Sequence, residues 1–574
     1  MLEVDLAPLF PILEKNKLLG RTALLPVLHA VQEKYGYIPA EAAVEVARFL
    51  NTPLSDVYGV IDYYALFYHQ PPAKVIMHVC TDPVCAMAGA ESMMKRMTSR
   101  LEPVTPGSQE IAAISVERSP CLGLCERAPA VLVQGVAITN ADTQTWENMV
   151  AHKQKHPKSH IGRDISLLTA NCGKDIPTSL DEYLRHGGYL AFRKVLQISP
   201  EAVVKEVKDS GLVGRGGAAF PTGVKLESTA KADGQPKYVV CNADEAEPGT
   251  FKDRIMLEDD PHSVLEGILI SAYAVGAAHG YIYIRGEYTY ACKVFSQAVE
   301  EARQAGYIGL NIFGSNFSFD LQIRRGAGAY ICGEETALFE SIEGKRGLPR
   351  VKPPFPTTSG LFGKPTAINN VETLANLPLI LSRGSAFYRS IGTEKSPGPK
   401  LFCLSGDVER PGLYEVPFGV TFRHLLYDLA GGMRSGRSFK AALFGGAAGS
   451  FATEELLDVK LSFEDLRAAG LPLGSGVITV FDETRELTDI LLCLAHFFAE
   501  ESCGKCYPCQ IGTQRQHEIM KRVASRQTLI GDATRLQELI HAMTAASLCG
   551  LGQTAGSAVL SAFQHWPELF APSF

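Results

Sequence analysis

The segment SCGKCYPCQIG, residues 502–512, places three cysteines at C-x2-C-x2-C spacing near the end of the chain. They are Cys503, Cys506 and Cys509, and Cys549 is the only cysteine that follows them. A cubane iron–sulfur cluster suits this arrangement, because adjacent turns supply three ligands and a remote segment supplies the fourth. Structural zinc sites usually combine two compact pairs instead. The pattern therefore predicts a 4Fe-4S cluster in a helical C-terminal region, with zinc or unligated thiols as the alternatives.

A second set of four cysteines lies in the first quarter of the chain. Cys80 and Cys85 stand in HVCTDPVCAMAG, and Cys121 and Cys125 stand in SPCLGLCERAPA. The first pair is too widely spaced for a redox-active C-x-x-C dithiol, and the whole set fits structural zinc only loosely. We therefore expect these four thiols to ligate a second iron–sulfur cluster.

Length and charge restrict the function classes. At 574 residues and 46% hydrophobic, the chain is long enough for three or four domains. Its net charge of −7 offers no basic field for nucleic acid. The N-terminus MLEVDLAPLF lacks the features of a secretory signal, so a cytoplasmic protein is expected. The longest apolar stretch, residues 264–284, is interrupted by glycines, which predicts a core helix ending near Gly280 and then a strand, without direct membrane insertion.

A glycine-rich segment, DSGLVGRGGAAFPTGVK at residues 209–225, matches the dinucleotide fingerprint G-x-G-x-x-A by letter. That fingerprint needs a preceding strand, whereas PEAVVKEVKDSG predicts a helix that stops at Gly211, so a standard Rossmann fold is excluded. Backbone N–H groups of such a loop can still approach an anion, and two basic side chains add donors. The candidate phosphate-binding residues are Gly214, Arg215, Gly216, Gly217, Gly223 and Lys225. A flexible interdomain loop is the alternative.

Three further segments carry polar residues at the ends of predicted elements. In KYVVCNADEAEPGTFKDR a buried strand precedes an acidic loop; in RRGAGAYICGEETAL a helix begins near Gly333; in PTAINNVETL two asparagines precede a helix. Each segment has a simpler explanation. The acidic loop is then a solvated or divalent-metal-binding loop, the acids near Gly333 compensate the helix dipole, and the asparagines act as N-caps. The candidate residues are Asn242, Asp244, Glu245, Glu247, Gly326, Tyr330, Gly333, Glu334, Glu335, Asn369, Asn370 and Thr373.

Taken together and in this order, these segments and CGKCYPCQIGT resemble the flavin- and NADH-binding subunit of respiratory complex I, from about residue 165 to 570. Residues 20–150 resemble its thioredoxin-like 2Fe-2S partner subunit. The two are one chain here, a fusion that is similar to the large diaphorase subunit of soluble NAD-reducing nickel–iron hydrogenases.

The resemblance implies an α/β multidomain protein. Its expected parts are an N-terminal helical segment, a thioredoxin-like 2Fe-2S domain, a linker, an FMN- and NAD-binding domain, a β-grasp-like domain and a helical 4Fe-4S domain. The corresponding ranges are 1–72, 73–150, 151–164, 165–398, 399–483 and 484–574.

The resemblance also implies the cofactors FMN, NAD, 2Fe-2S and 4Fe-4S and the roles of the candidate residues. Asn242, Asp244, Asn369, Asn370 and Thr373 would surround the FMN phosphate and ribityl chain, with Gly216 and Lys225 nearby, and Tyr330 to Glu334 would line the flavin. Phe220 and Phe355 would stack on the adenine, and Glu335 would bind the ribose and disfavour a 2′-phosphate. Glu245, Glu247 and Glu334 are the catalytic candidates, the first two beside the nicotinamide.

Two positions depart from the family pattern. GLKWSF reads GVKLEST here, so Leu226 and Ser228 replace two aromatic residues and weaker NAD binding is expected. Gln510 stands where the family usually has arginine, which predicts a lower cluster potential.

The expected activity is hydride exchange between NAD(H) and FMN, followed by single-electron transfer through the 4Fe-4S cluster to a ferredoxin-like iron–sulfur subunit and a hydrogenase. The diaphorase subunit of an NAD-dependent formate dehydrogenase and a complex I-like NADH dehydrogenase module are alternatives within this class. A zinc-bearing assembly scaffold is the alternative from another class.

Overall fold

The computed structural model describes residues 4–99, 101, 113–142 and 156–572. The first five residues of the predicted linker 151–164 therefore lie outside the described part of the chain.

The N-terminal helices form a layer against the flavin-binding domain. Their bounds are Leu9–Asn16, Leu24–Tyr35, Ala40–Phe49 and Leu54–Ile61. Helix Leu24–Tyr35 ends at Gly36, which takes the left-handed conformation that glycine adopts without strain (φ +81°). Its apolar side chains share one core with Val240, Tyr281 and Phe339 of the flavin-binding domain. This layer is therefore packed onto the neighbouring domain.

The thioredoxin-like domain is built on a four-stranded mixed sheet. Its strands, in spatial order, are Ile114–Ser119, Val75–Cys80, Ala130–Val133 and Val136–Thr139. The first two are parallel and the other neighbours are antiparallel. Helices Pro83–Met87 and Ala90–Thr98 follow the second strand. The cysteine pairs lie at the ends of strands Val75–Cys80 and Ile114–Ser119, which run side by side.

The flavin-binding domain has a fully parallel sheet between helices. The strands, in spatial order, are Asp320–Arg325, His279–Ile284, Tyr238–Ala243 and Thr366–Asn370. Its longer helices are Leu180–Arg185, Leu190–Val195, Pro200–Ser210, Thr222–Lys231, Lys252–Asp259, Pro261–Val275, Thr289–Gln304, Glu335–Ile342, Val371–Arg383 and Ser385–Arg389. The glycine-rich loop follows helix Pro200–Ser210, which Gly211 ends at φ +73°, so the predicted departure from a Rossmann fingerprint is confirmed.

A six-stranded mixed sheet follows, where a β-grasp-like domain was expected. Its strands, in spatial order, are Ser450–Ala452, Phe439–Phe444, Val477–Asp482, Pro399–Gly406, Gly412–Pro417 and Ile161–Arg163. Helices His424–Leu429 and Phe463–Ala468 accompany it. The last strand comes from the predicted linker 151–164, because the backbone at 161–163 pairs in parallel with residues 413–415. Residues 161–163 are therefore part of this sheet.

The C-terminal region is a helical bundle, as predicted. The helices are Leu487–Glu501, Tyr507–Ala524, Asp532–Ala546, Gly550–Thr554 and Ser557–His565. Cys503 and Cys506 lie between the first two helices, Cys509 lies in the first turn of the second, and Cys549 immediately precedes Gly550–Thr554. Among the described residues, no helix combines the length and apolarity that crossing a membrane requires.

Candidate active site and cluster-binding sites

Three loops meet at the carboxyl ends of the parallel strands, the edge where open α/β sheets bind ligands. Asn242 joins two of them, because its amide donates to Gly333 O at 2.8 Å and its side-chain oxygen accepts from Asp244 N at 3.1 Å. The glycine-rich loop adjoins the third, since a Cβ added to Gly216 would lie 3.0 Å from the Asn370 Cβ. The predicted acidic, tyrosine-containing and asparagine-containing segments thus form one site.

Two buried polar atoms at this site have no hydrogen-bond partner among the residues that the structure describes. They are the Asn369 amide nitrogen, on a side chain only 5% exposed, and Asp244 Oδ2. Burial raises the pKa of Asp244 well above its ordinary value. Unsatisfied buried groups are costly, so they indicate a polar ligand. This donor and acceptor pair beside a glycine-rich loop fits FMN.

Several residues that are predicted to contact the flavin form hydrogen bonds to other protein groups. Thr373 accepts from Arg215 N at 2.8 Å, and Asn370 caps helix Val371–Arg383 by accepting from Glu372 N at 3.0 Å. The Asn370 oxygen also lies 3.2 Å from the buried Lys252 ammonium. These side chains fix the shape of the loops, and their contact with FMN stays a prediction.

Arg215 and Gly223 have structural roles that sequence did not reveal. The Arg215 guanidinium turns away from the loop and donates to Tyr388 Oη at 2.9 Å and Pro397 O at 3.0 Å. Gly223 allows two helices to touch, because a Cβ there would lie 2.7 Å from the Lys208 backbone. Arg215 Nε and one terminal nitrogen have no hydrogen-bond partner among the described residues, and anion binding by either residue stays a prediction. Gly214 closes the turn by donating to Phe220 O at 2.9 Å, and Gly217 adopts φ +120°.

Glu247 and Tyr330 form a polar pair beside the loop. The Tyr330 hydroxyl donates to Glu247 at 2.5 Å, and Ala448 N donates to the other carboxylate oxygen at 3.0 Å. Burial raises the pKa of Glu247, and the bonds from Tyr330 and Ala448 oppose that rise. The backbone N–H of Tyr330 donates to Glu501 at 3.0 Å. The helical domain therefore positions Tyr330 through Glu501, a residue that was not among the predicted site residues.

Glu245 is placed differently from Glu247. Its carboxylate is 5% exposed and accepts from Asp253 N and Arg254 N, each at 2.9 Å, where helix Lys252–Asp259 begins. Burial raises its pKa to about 8. This capping arrangement argues against the predicted position beside the nicotinamide, because the carboxylate oxygens already have partners.

Glu334 and Glu335 share one cation. Glu334 caps helix Glu335–Ile342 by accepting from Thr336 N and Ala337 N, and Lys352 lies 2.8 Å from Glu334 and 2.6 Å from Glu335. Burial disfavours the ammonium, but both carboxylates outweigh it and raise the pKa of Lys352. Lys352 lies three residues before Phe355, in VKPPFP at residues 351–356, and this proximity to a predicted nucleotide contact is the sequence signal that could have identified it.

The remaining predicted residues lie around this group. Lys225 donates to Ile368 O at 2.8 Å, and burial lowers its pKa while Glu335 opposes that shift. Phe220 and Phe355 are 50% and 57% exposed, and their stacking on the adenine stays a prediction. Gly326 packs against Tyr283, whose hydroxyl would lie 2.9 Å from an added Cβ.

Each predicted cysteine tetrad is brought together. Cys503, Cys506, Cys509 and Cys549 line one cavity together with Lys505 and Ile331. In the other tetrad, Cys80, Cys85 and Cys125 line a second cavity, and Cys121 Sγ lies 3.3 Å from Cys125 Sγ. Four thiols around a shared space fit an iron–sulfur cluster in each place.

The two tetrads differ in exposure. Cys80, Cys85 and Cys121 are each 1% exposed and Cys125 is 5% exposed, whereas Cys503, Cys506 and Cys549 are partly exposed. The tetrad near the C-terminus is therefore the more accessible of the two from the surface.

Three family models match the chain. They are the Nuo51 FMN-binding domain at residues 207–379, the thioredoxin-like [2Fe-2S] ferredoxin at 11–154 and the NADH-ubiquinone oxidoreductase-F iron-sulfur binding region at 489–572.

Similar proteins come from two groups of enzymes. The NADH-quinone oxidoreductase F 2 subunit of Rhizobium meliloti is 48% identical over 69% of this chain and 95% of its own length. The NADP-reducing hydrogenase subunit HndC of Solidesulfovibrio fructosivorans is 45% identical over 70% of this chain and 81% of its own length.

A crystal structure of an NAD+-reducing [NiFe]-hydrogenase in the air-oxidized state aligns with 33% identity and a TM-score of 0.83, over 96% of this chain and 93% of that chain. The multidomain fold, the flavin and both clusters expected from sequence are thereby confirmed. The chain belongs to the family of the complex I flavin subunit, an oxidoreductase family, with a thioredoxin-like 2Fe-2S domain fused to its FMN-binding and 4Fe-4S parts.

Proposed function

We propose that this chain is the diaphorase subunit of an NAD-reducing hydrogenase, in which H2 and NAD+ give NADH and H+ through a partner module. The observation that carries this proposal is the fusion. The hydrogenase chain aligns over 96% of this chain, whereas the quinone oxidoreductase relative from Rhizobium meliloti aligns over 69%.

The site residues have distinct tasks in this proposal. Asn369, Asp244 and the loop around Gly216 would hold FMN, which when bound accepts hydride from NADH and passes electrons on singly. Phe220 and Phe355 would stack on the adenine, and Glu335 would accept hydrogen bonds from the ribose hydroxyls. The protein orients the reactants and excludes water, and no side chain is required as a general acid or base.

The clusters define the route out of the site. Cys503, Cys506, Cys509 and Cys549 would ligate the 4Fe-4S cluster, whose partly exposed ligands suit transfer to a ferredoxin-like iron–sulfur subunit. Cys80, Cys85, Cys121 and Cys125 would ligate the 2Fe-2S cluster, which the surrounding domains enclose. A cytoplasmic location is part of the same proposal.

A complex I-like NADH dehydrogenase module is the second candidate. The observation favouring it is sequence identity, which is 48% to the quinone oxidoreductase relative from Rhizobium meliloti, 45% to the hydrogenase subunit HndC and 33% to the NAD+-reducing hydrogenase chain.

Purification of the native complex through a tag on this chain separates the two candidates. Nickel in the complex together with H2-dependent reduction of NAD+ supports the hydrogenase. NADH oxidation by a quinone without H2-dependent activity overturns it in favour of the second candidate. Formate-dependent reduction of NAD+ would instead identify a formate dehydrogenase.

A further inference from the structure

The thioredoxin-like domain does not enclose its cysteine tetrad alone. Beside Cys80, Cys85 and Cys125, the cavity wall includes Pro248 and Gly249 of the flavin-binding domain. Leu443 of the six-stranded sheet and Leu494 of the helical bundle complete it. The environment of this tetrad therefore depends on residues from outside its own domain.

Two arginines of the flavin-binding domain reach the loop between Cys121 and Cys125. Arg254 Nε donates to Gly123 O at 2.8 Å, and an Arg285 terminal nitrogen donates to the carbonyl of the ligand Cys121 itself at 2.7 Å. Both guanidinium groups are only 3% exposed. The ligand loop thus accepts hydrogen bonds from two buried cations supplied by another domain.

The arginines are fixed in place by neighbouring acids. Arg254 pairs with Glu126 at 2.6 Å and with Glu258 at 2.8 Å, and Arg285 pairs with Glu287 at 2.8 Å. All three carboxylates are also buried. If one arginine is replaced by a neutral residue, the buried negative charge next to the ligand loop is no longer balanced.

Reduction adds one negative charge to an iron–sulfur cluster, so nearby positive charge and donated hydrogen bonds favour the reduced state. We propose that Arg254 and Arg285 are positioning residues that complete the 2Fe-2S site from the flavin-binding domain and keep its reduction potential from falling. This inference rests on the assignment of Cys80, Cys85, Cys121 and Cys125 as the ligands.

The test is an anaerobic redox titration of the purified full chain, with cluster signals followed by electron paramagnetic resonance. Arg254→Gln and Arg285→Gln should each shift the 2Fe-2S equilibrium at least about tenfold toward the oxidised form at a given potential, which is about 59 mV for one electron. Arg254→Lys and Arg285→Lys retain the charge and should shift it less. In Arg254→Gln the midpoints of FMN and the 4Fe-4S cluster should stay unchanged, whereas Arg285→Gln also removes a donor to Glu245 O at 2.7 Å.

Arg324→Gln is the matched control, since this buried arginine lies on strand Asp320–Arg325 of the flavin-binding domain and packs over Tyr281, with its guanidinium carbon 5.4 Å from the ring centre. Unchanged 2Fe-2S midpoints in both glutamine variants would overturn the proposal, and so would lysine variants shifted as far as the glutamine ones. If the glutamine variants lose the cluster, the lysine variants decide: a retained cluster near its normal midpoint supports the proposal, and its loss overturns it. A normal chain without any 2Fe-2S signal would refute the ligand assignment and the proposal together, while NADH-dependent flavin reduction would still stand.

Discussion

The Tyr330 hydroxyl donates to the Glu247 carboxylate at 2.5 Å, which joins the loop that follows one parallel strand to a segment that the helical domain holds through Glu501. This bond stabilises the ionised form of Glu247 and so lowers its pKa against the effect of burial.

Tyr330→Phe should therefore raise the pKa of Glu247. If the carboxylate is the form that supports hydride transfer, activity should fall at a higher pH on the acid side in Tyr330→Phe than in the unsubstituted chain. The measurement is the pH profile of kcat/KM for NADH with ferricyanide as acceptor. Glu247→Gln, which cannot ionise, should lose that acid limb, and superimposable profiles for the unsubstituted chain and Tyr330→Phe would contradict the role of the pair.

Lys352 should limit the discrimination that the two acids exert against NADPH. Its removal in Lys352→Met leaves Glu334 and Glu335 unpaired, so the ratio of kcat/KM for NADH over NADPH should rise about two- to fivefold, the size of a partly exposed ion pair. Glu335→Gln should lower the same ratio. If the NADH-over-NADPH ratio of Glu335→Gln equals that of the unsubstituted chain, Glu335 has no role in nucleotide selection.

Cys506→Ser should abolish reduction of the 4Fe-4S cluster and electron delivery to the partner, while NADH still reduces FMN. Stopped-flow absorbance of flavin and cluster bands measures both steps. Cys292→Ser is the control, because Cys292 lies on helix Thr289–Gln304 outside both tetrads. Loss of FMN in Cys506→Ser would show that the flavin and cluster domains fold as one unit.

His29 should make the attachment of the N-terminal helices sensitive to acid. Its ring donates to Gly326 O at 3.1 Å, and burial lowers its pKa from 6.5 to about 3. Below pH 6.5 the unfolded segment binds a proton at His29 that the folded segment does not bind. The free energy of unfolding is therefore highest above pH 6.5 and is lower by about 2 kcal/mol at pH 5. Hydrogen exchange of residues 9–61 at pH 7 and pH 5 measures this. His29→Gln keeps a donor without titrating there and should show a smaller change; an equal acid effect would exclude His29 as its source.

Gly223→Ala should destabilise the flavin-binding domain by about 1–3 kcal/mol, because the new Cβ would overlap the Lys208 backbone. Gly59→Ala is the control, since no atom lies within 4 Å of a Cβ at that position. Thermal unfolding and FMN content distinguish packing from ligand binding. Weaker FMN binding at unchanged stability would restore the direct contact that the sequence predicted.

Local sequence predicted the elements better than their ends. The apolar stretch at 264–284 does contain a helix and a strand, but the helix ends at Val275 because Gly276 takes φ +73°, earlier than the predicted Gly280. Strand Ile161–Arg163 was missed because its pairing with residues 413–415 is set by distant chain, which a local pattern cannot show.

The site was predicted as a set of segments, and the direction of individual side chains was not. Arg215 and Lys225 looked equivalent as donors, yet Arg215 turns toward Tyr388 while Lys225 stays near Glu335. Glu245 and Glu247 are two residues apart, but one caps a helix and the other pairs with Tyr330. These differences arise from tertiary packing between segments far apart in sequence.

If this chain is a diaphorase, NADH delivers electrons through FMN to the two clusters that it holds. An anaerobic titration of the purified chain with NADH, followed by electron paramagnetic resonance with iron, zinc and flavin analysis, tests it directly. We expect bound FMN, about six iron atoms and NADH-reducible cluster signals. Zinc without flavin would contradict it and favour the assembly scaffold.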